Sequence, residues 1–482
     1  MSKKLLAAIL IGALCLAMPG MQVSATDAGE AAPAEATEEV VVTDEEQAAQ
    51  EQAAAWQAEY DKAPDTNAIE NWPAGPNVWG KGAVVMDMNS GAVLYGKDME
   101  GKYYPASITK LLTALVALEN EDITDKVVGT DACYEGMDWT FASIALKTGE
   151  ELPLEEALYA LLFSSANEVA HAIAESSPGG YDDFIAKMNE RATELGCVNS
   201  NFVNPNGLDD ENHYTCAYDM ALIGSAVYQQ EEFRKIESDL YHTIPKTNMS
   251  DERQWITQNH KMLFPENAHY YPYTKAGKTG YTDMTKSTLV TMADNGTLQL
   301  VAVDLCNEKA AVYEDTTAMF EYGFNNFQKL ALKDNETTDK IESFENEDAY
   351  VVVPNNVTFA ELENEIIVNE DSKKKEGVIA YTYHGQPVGH ANIILSDEYY
   401  KEVTGVEDLS FLEPEEKEDP GFVMPLWMKI VIGVVALLII LFVIIVILVQ
   451  RRRRKLREER RRRREEFRRK QQNQRKRRER NE

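Results

Sequence analysis

The chain has 482 residues, room for two or three domains at roughly 100–200 residues each, which excludes a single small module. Its 44% hydrophobic and 9% aromatic content lets most of the chain bury apolar surface and excludes wholesale disorder. The formal net charge of −32 is uneven: residues 451–482 hold 19 Lys and Arg against 6 Asp and Glu, leaving 29 against 74 in residues 1–450. An acidic body repels phosphate backbones, so no nucleic-acid partner is expected for it, and only the basic tail suits polyanions.

Lys3 and Lys4, the apolar run Leu5 to Met18 and the small residues Val23-Ser24-Ala25 read as a secretory signal over residues 1–25. Residues 26–66, rich in Ala, Glu, Gln and Asp, read as an acidic solvated spacer, partly helical around Glu45 to Tyr60, that does not pack on the fold. A globular pattern begins near Trp72. Gly82 to Met88 and Ala92 to Tyr95 flank the turn Asn89-Ser90-Gly91 as two short strands. Ser107 to Asn120 is a largely apolar helix, and helices at Leu154 to Phe163 and Glu168 to Glu175 meet at Ser164-Ser165-Ala166-Asn167. Ser287 to Ala293 and Leu298 to Leu305 around Asp294-Asn295-Gly296 give a hairpin signal.

Strands at both ends of a helical middle predict an α+β domain over 67–332, its antiparallel sheet completed by N-terminal and C-terminal strands. Strand-like runs such as Ala349 to Val353 and Gly377 to Tyr383 predict a small all-β domain over 345–400, followed by an acidic stalk over 401–425. A single transmembrane helix is expected within 426–450, where Ile430 to Val449 is 20 residues without a charge, with Trp427 and Lys429 placed as interfacial anchors. The basic run from Arg451 to Lys455 puts the tail, 451–482, on the cytoplasmic side and the body outside the cell membrane. Alternating Arg and Glu in the tail suits a solvated helix drawn to anionic lipids, with a specific partner as the alternative.

Beyond the signal, Cys133, Cys197, Cys216 and Cys306 allow three pairings but match no zinc or redox spacing, and small buried thiols without a structural disulfide suit so large a domain. The seven histidines form no His-x-x-x-His pair, so neither metal nor cofactor is expected.

Three short motifs carry chemistry. Ser107-Ile108-Thr109-Lys110 sets a hydroxyl and an amine on one helix face, a nucleophile with its base, provided burial or a second cation lowers the lysine pKa. Ser107 also opens a helix after Pro105, where free N–H groups favour a developing anion. The same spacing at Ser372 to Lys375 reads as an exposed turn. Ser165-Ala166-Asn167 falls between helices, where it can project two polar side chains into a cleft or merely cap the second helix. Lys278-Thr279-Gly280 opens a strand and can present a cation, a hydroxyl and a close-approach glycine to a substrate along its edge, whereas Lys147-Thr148-Gly149 reads as a turn.

In the order Ser-x-x-Lys, Ser-x-Asn 58 residues later and Lys-Thr-Gly another 113 later, the set resembles the serine penicillin-binding proteins and β-lactamases. The flanks YYPASITKLLTAL, SSANEVAHAIAE, NFVNPNGLDDENHYTCAYDMA and GKTGYT resemble the low-molecular-mass D-alanyl-D-alanine carboxypeptidases (peptidase family S11) over residues 78–330. The resemblance implies a β-lactamase/transpeptidase-like fold and a stem peptide ending in D-Ala-D-Ala as substrate, with β-lactams as covalent inhibitors. It implies Ser107 as nucleophile, Lys110 as base, Ser165 as proton relay to the leaving amine and Asn167 on the substrate amide. It further implies Lys278 as second cation, Thr279 on the terminal carboxylate with Gly280 beside it, and the N–H groups of Ser107 and Tyr281 as oxyanion hole. Asn204, Gly207, Asp209, Asp219 and His213 are expected to be structural. Asn259-His260-Lys261 departs from the Asn-x-Asn of many relatives, which puts the local loop geometry in question.

A membrane-anchored carboxypeptidase trimming pentapeptides is thus expected. A β-lactamase is disfavoured because no Glu-x-x-x-Asn follows Ser165 closely, and a non-catalytic wall-binding scaffold is the alternative of another class.

Overall fold

The structure is a computed structural model that describes residues 44–409, apart from 138–139, 309–310, 370–373 and 407–408. The predicted signal, the start of the spacer, the stalk from residue 410 onward, the transmembrane segment and the basic tail lie outside the described residues.

The centre is an antiparallel sheet in the order β2-β1-β9-β8-β7, built from β1 (Gly82–Asp87), β2 (Val93–Lys97), β7 (Thr274–Thr282), β8 (Lys286–Asp294) and β9 (Gln299–Asn307). As the strand order in sequence suggested, the N-terminal hairpin docks on the last strand, with Gly82 opposite Leu305 and Asp87 opposite Leu300. Every residue of β1 is buried because the sheet is covered on both faces. Alternation divides it: Val84 and Met86 join one apolar cluster, Ala83 and Val85 the other.

The first cluster is roofed by helices inserted between β2 and β7: α2 (Lys110–Asn120), α3 (Leu154–Phe163), α4 (Asn167–Ser176), α5 (Gly180–Glu194) and α6 (Ala217–Gln229), with the short α7 (Glu231–Glu237) closing the group. Residues 110–117 of α2 are all buried, as expected of a helix apolar on every side. Small ribbons β3 (Lys126–Val128) with β4 (Glu151–Pro153), and β5 (Tyr241–Ile244) with β6 (Arg253–Thr257), flank these helices. The expected helix from Ser107 is corrected at its start: Ala106–Thr109 is a 3-10 turn and the α-helix begins at Lys110.

The second cluster is covered by α8 (Val312–Asn326) and by a β-rich segment. That segment holds β10 (Phe327–Ala331) paired with β12 (Tyr350–Pro354), and a sheet in the order β11-β15-β14-β13 from β11 (Ile341–Phe344), β13 (Glu363–Val368), β14 (Glu376–Tyr383) and β15 (Gln386–Leu395). The short α9 (Leu332–Asn335) and α10 (Asp397–Thr404) complete it. The segment expected over 345–400 therefore starts earlier and shares its core with the main sheet: Ile379 and Tyr381 belong to the same cluster as Val85 and Leu94, and Gln386 Nε2 donates to the Val93 carbonyl at 3.1 Å.

The spacer reading needs correction. Residues 44–60 form α1 (Asp44–Tyr60), and its end packs on the fold: the Tyr60 ring lies 4.4 Å from that of Trp79, and the Lys81 ammonium lies 5.0 Å from the Trp56 ring centre. The physical reason is Lys97. This fully buried ammonium donates to the carbonyls of Glu59 and Val78, both at 2.8 Å, tying the helix end to β2. Replacing it by methionine keeps the bulk but strands the Val78 carbonyl and removes the tie, the Glu59 carbonyl keeping the Lys62 N–H at 3.3 Å. Lys97→Met is expected to lower stability by about 2 kcal/mol and to make α1 more sensitive to limited proteolysis than it is in the parent.

Candidate active site

The three motifs meet where the start of α2, the α3–α4 junction and β7 come together. Ser107 sits in the 3-10 turn, in which residues three apart eclipse, so its hydroxyl lines up with the Lys110 side chain. The turn is strained at Ala106 and held by two contacts. Ala106 takes φ +50°, uncommon for a residue with a Cβ. Its carbonyl fits against Gly207 (φ +84°), where a Cβ would lie 1.8 Å from that oxygen. The Pro105 carbonyl accepts the Thr288 hydroxyl at 3.1 Å.

Lys110 Nζ lies 3.0 Å from Ser107 Oγ, 2.7 Å from Asn167 Oδ1 and 2.6 Å from the Asn206 carbonyl oxygen. Its side chain is wholly shielded from water. As an ammonium it donates to all three. As an amine its two hydrogens go to the oxygens that can only accept, those of Asn167 and Asn206, and the lone pair is left for the Ser107 hydroxyl. Burial, and next the nearby charge of Lys278, hold the Lys110 pKa well below the usual lysine range, with Glu168 opposing.

Ser165 joins α3 to α4 at φ +54°. The capping alternative does not describe Ser165 and Asn167: the N-cap of α4 is Ala166, without a side-chain cap, and Asn167 Oδ1 goes to Lys110. Ser165 Oγ instead accepts from Lys278 Nζ at 3.1 Å, which also donates to the Thr279 carbonyl at 2.9 Å. Burial brings the Lys278 pKa down to about 8, opposed by the charge of Glu237. Glu168, next to Asn167, accepts from the Ser143 hydroxyl and the Ile144 N–H, both at 2.8 Å, and so ties the 143–146 loop beside the site.

β7 is an edge strand of the central sheet. Its Gly277 N–H donates to a side chain, Glu237, off the free edge, so by the two-residue alternation the N–H groups of Thr279 and Tyr281 face the same way. Gly280 is required by close approach: a Cβ there would lie 2.4 Å from Thr288 Oγ1 and 3.0 Å from Ser107 N. Thr279 is half-buried, and the Tyr281 ring is largely exposed.

The residues expected to be structural make structural contacts. His213 Nδ1 accepts the Val203 N–H at 3.1 Å, so its Nε2 hydrogen is directed to Thr109 Oγ1, 2.9 Å away. Burial holds its pKa down to about 4. Asp219 accepts from Asn199 N–H and Ser200 Oγ, Asn204 Oδ1 from Gly207 N–H, and Asp209 from Thr282 Oγ1. In Asn259-His260-Lys261, whose loop geometry was in question, His260 turns inward and bonds Thr291 Oγ1 at 2.8 Å, while Lys261 lies over the Tyr313 ring. Lys147-Thr148-Gly149 is a turn, with Gly149 at φ +80°. The four cysteines from Cys133 to Cys306 are unpaired.

Sequence reasoning missed Asn206, which acts through a backbone carbonyl and so leaves no side-chain signal, and Glu237, which sits in a charged run that reads as a solvated helix.

The family model for D-alanyl-D-alanine carboxypeptidases, peptidase S11, matches residues 69–309, half of the chain. The chain is 32% identical over 259 residues to the D-alanyl-D-alanine carboxypeptidase DacB2 of Mycobacterium tuberculosis, covering 52% of this chain and 84% of that one. It is 29% identical over 323 residues to the D-alanyl-D-alanine carboxypeptidase DacF of Bacillus subtilis, covering 64% and 80%. Penicillin binding protein 5 of Haemophilus influenzae shares the fold, with a TM-score of 0.53 and 22% identity over 67% of this chain and 98% of that structure. The chain belongs to the peptidase S11 family of serine-type D-alanyl-D-alanine carboxypeptidases, the low-molecular-mass penicillin-binding enzymes of the bacterial cell wall.

Because Gly207 has no room for a side chain, Gly207→Ala should push the Ala106 carbonyl and Ser107 out of place. Reaction with labelled penicillin is expected to fall on the order of 100-fold, read as the rate of covalent labelling of folded protein.

Proposed function

We propose that this protein is a membrane-anchored D,D-carboxypeptidase that removes the terminal D-alanine of peptidoglycan stem pentapeptides through an acyl-enzyme on Ser107. The observation that carries it is the contact of the water-shielded Lys110 Nζ with Ser107 Oγ at 3.0 Å, its other two neighbours being able only to accept.

In this reading neutral Lys110 takes the Ser107 proton as Oγ bonds to the penultimate D-Ala carbonyl carbon. The developing oxyanion lies between the N–H groups of Ser107 and Tyr281, which supports it best in a site closed to water. Lys110 then gives that proton to Ser165, which, bonded to Lys278, passes its own to the leaving amine as the C–N bond breaks, so that Lys110 is neutral again. Asn167 holds the substrate amide, and Thr279 with charged Lys278 receives the terminal carboxylate, Gly280 allowing the peptide to approach the strand edge. Water then attacks the ester carbon as Lys110 takes its proton, and Lys110 returns that proton to Ser107 Oγ as the C–Oγ bond breaks, restoring both groups. The signal, the apolar segment Ile430 to Val449 and the basic run after it support an extracytoplasmic catalytic body on a single-pass anchor, its tail against anionic lipids.

A soluble form spanning residues 26–424, given a stem pentapeptide ending in D-Ala-D-Ala, should release D-alanine, and Ser107→Ala should release none. A folded parent without release would point to the wall-binding scaffold instead. The pH dependence follows from the two lysines. Acylation by penicillin needs Lys110 neutral and Lys278 charged. The rate should therefore rise as Lys110 loses its proton below the ordinary lysine range, then fall above about pH 8 as Lys278 loses its own. A rate still climbing at pH 10 would contradict the need for a charged Lys278.

A further inference from the structure

Beside the strand that carries Lys278 lies a group the reaction scheme leaves unused. Glu237, the last residue of α7, is 1% exposed, and a carboxyl shielded to that degree is costly unless partnered. Its Oε2 accepts the Gly277 N–H at 3.1 Å and Gln258 Nε2 at 2.9 Å, while Oε1 has no hydrogen-bond partner. Gly277 immediately precedes Lys278 and admits no side chain: a Cβ would lie 2.4 Å from the Val290 carbonyl oxygen and 2.5 Å from the His260 ring. The backbone from which Lys278 projects is thus gripped between β8 and His260 on one hand and Glu237 on the other.

Among the described residues the charged and titratable groups around Glu237 come from three elements and one loop. Lys278 comes from β7, His260 from the segment before it, and Tyr228 of α6, Arg234 of α7 and Lys275 of β7 line the same surface cleft as Glu237. Burial, and next the charge of Lys278, hold the His260 pKa down to about 3, so His260 is neutral and adds no second positive charge beside Lys278. Burial raises Glu237 to about 7, with the Gly277 N–H and then the charge of Lys278 opposing. Glu237 is the charge that opposes the effect of burial on Lys278.

We propose that Glu237 is a positioning residue for the active-site cation: its carboxylate fixes the Gly277–Lys278 backbone through the Gly277 N–H and supplies the negative charge that keeps Lys278 protonated. The inference deepens the proposed function and rests on its reading of Lys278 as the second cation of the site. The two contributions are separable. A glutamine can still accept from Gly277 but carries no charge; an aspartate keeps the charge but is too short to hold the bond.

The test is the rate of acylation by labelled penicillin between pH 6 and pH 10, with the full chain in detergent. Glu237→Gln should move the alkaline limb down by roughly half a unit to one unit, so that the rate at pH 8.5 falls about three- to eightfold. Glu237→Asp should slow the reaction with the limb left near that of the parent. Should Glu237→Gln not fold, Gln258→Met provides the same reading: it removes a donor that favours the ionised carboxyl, and the limb should again move down. A Glu237→Gln profile that superimposes on the parent, a Gln258→Met limb that stays in place, or equal shifts in the Gln and Asp variants would overturn the proposal. A Lys278→Ala variant that acylates like the parent would instead overturn the reading of Lys278 beneath it.

Discussion

Two lysines buried in one cleft cannot both keep their charge at little cost, and the rest of the site follows from how that conflict is settled. Lys110 is surrounded by neutral acceptors and a hydroxyl, and it feels Lys278 as a repelling neighbour, so its proton is the easier one to lose. Lys278 has a counter-charge in Glu237, which keeps its pKa nearer the ordinary lysine value. The division into one base and one cation comes from surroundings rather than from residue type. In the proposed mechanism a serine beside the neutral lysine is thereby activated.

The fold serves this division by bringing together segments far apart in sequence. The helical insertion between β2 and β7 lets the start of α2 and the α3–α4 junction face an edge strand of the sheet. An edge is needed because only there are alternate N–H groups free for a substrate, and β7 holds that edge open at Thr279 and Tyr281 while Glu237 takes the N–H of Gly277. Left-handed backbone at Ala106 and Ser165 marks the two places where a serine hydroxyl is set against a buried lysine. Such conformations persist where the surroundings over-determine them, as Gly207 and Thr288 do around the first of these.

The sheet hairpins and the two helices meeting at Ser165 were legible because hydrophobic period and turn residues fix them locally, whereas the lysine strand was legible only in part: it begins at Thr274 rather than opening at Lys278. The candidate site was legible because three weak motifs stand in order with informative flanks. What escaped depends on tertiary contact. The Ala- and Glu-rich spacer gave no reason to pack, yet Trp56 and Tyr60 find Lys81 and Trp79, and Lys97 reaches the carbonyl of Glu59. The 3-10 start of α2 is set by Gly207 pressing on Ala106, a contact across a hundred residues. Glu237 reads as one more surface charge in EEFRKIE until the strand covers it. The β-rich segment looked self-contained because its strands alternate cleanly, but the main sheet had a second face to cover, and Ile379 and Tyr381 cover it.

The central claim is that Ser107 is made nucleophilic by its contact with Lys110. It is tested most directly by exposing the folded protein to a penicillin, digesting it and locating the adduct by mass spectrometry. The account predicts one acyl group per chain, on the peptide carrying Ser107, and none after Lys110→Met in a protein that still unfolds cooperatively. An adduct on another residue, or equally fast labelling of Ser107 without Lys110, would contradict it.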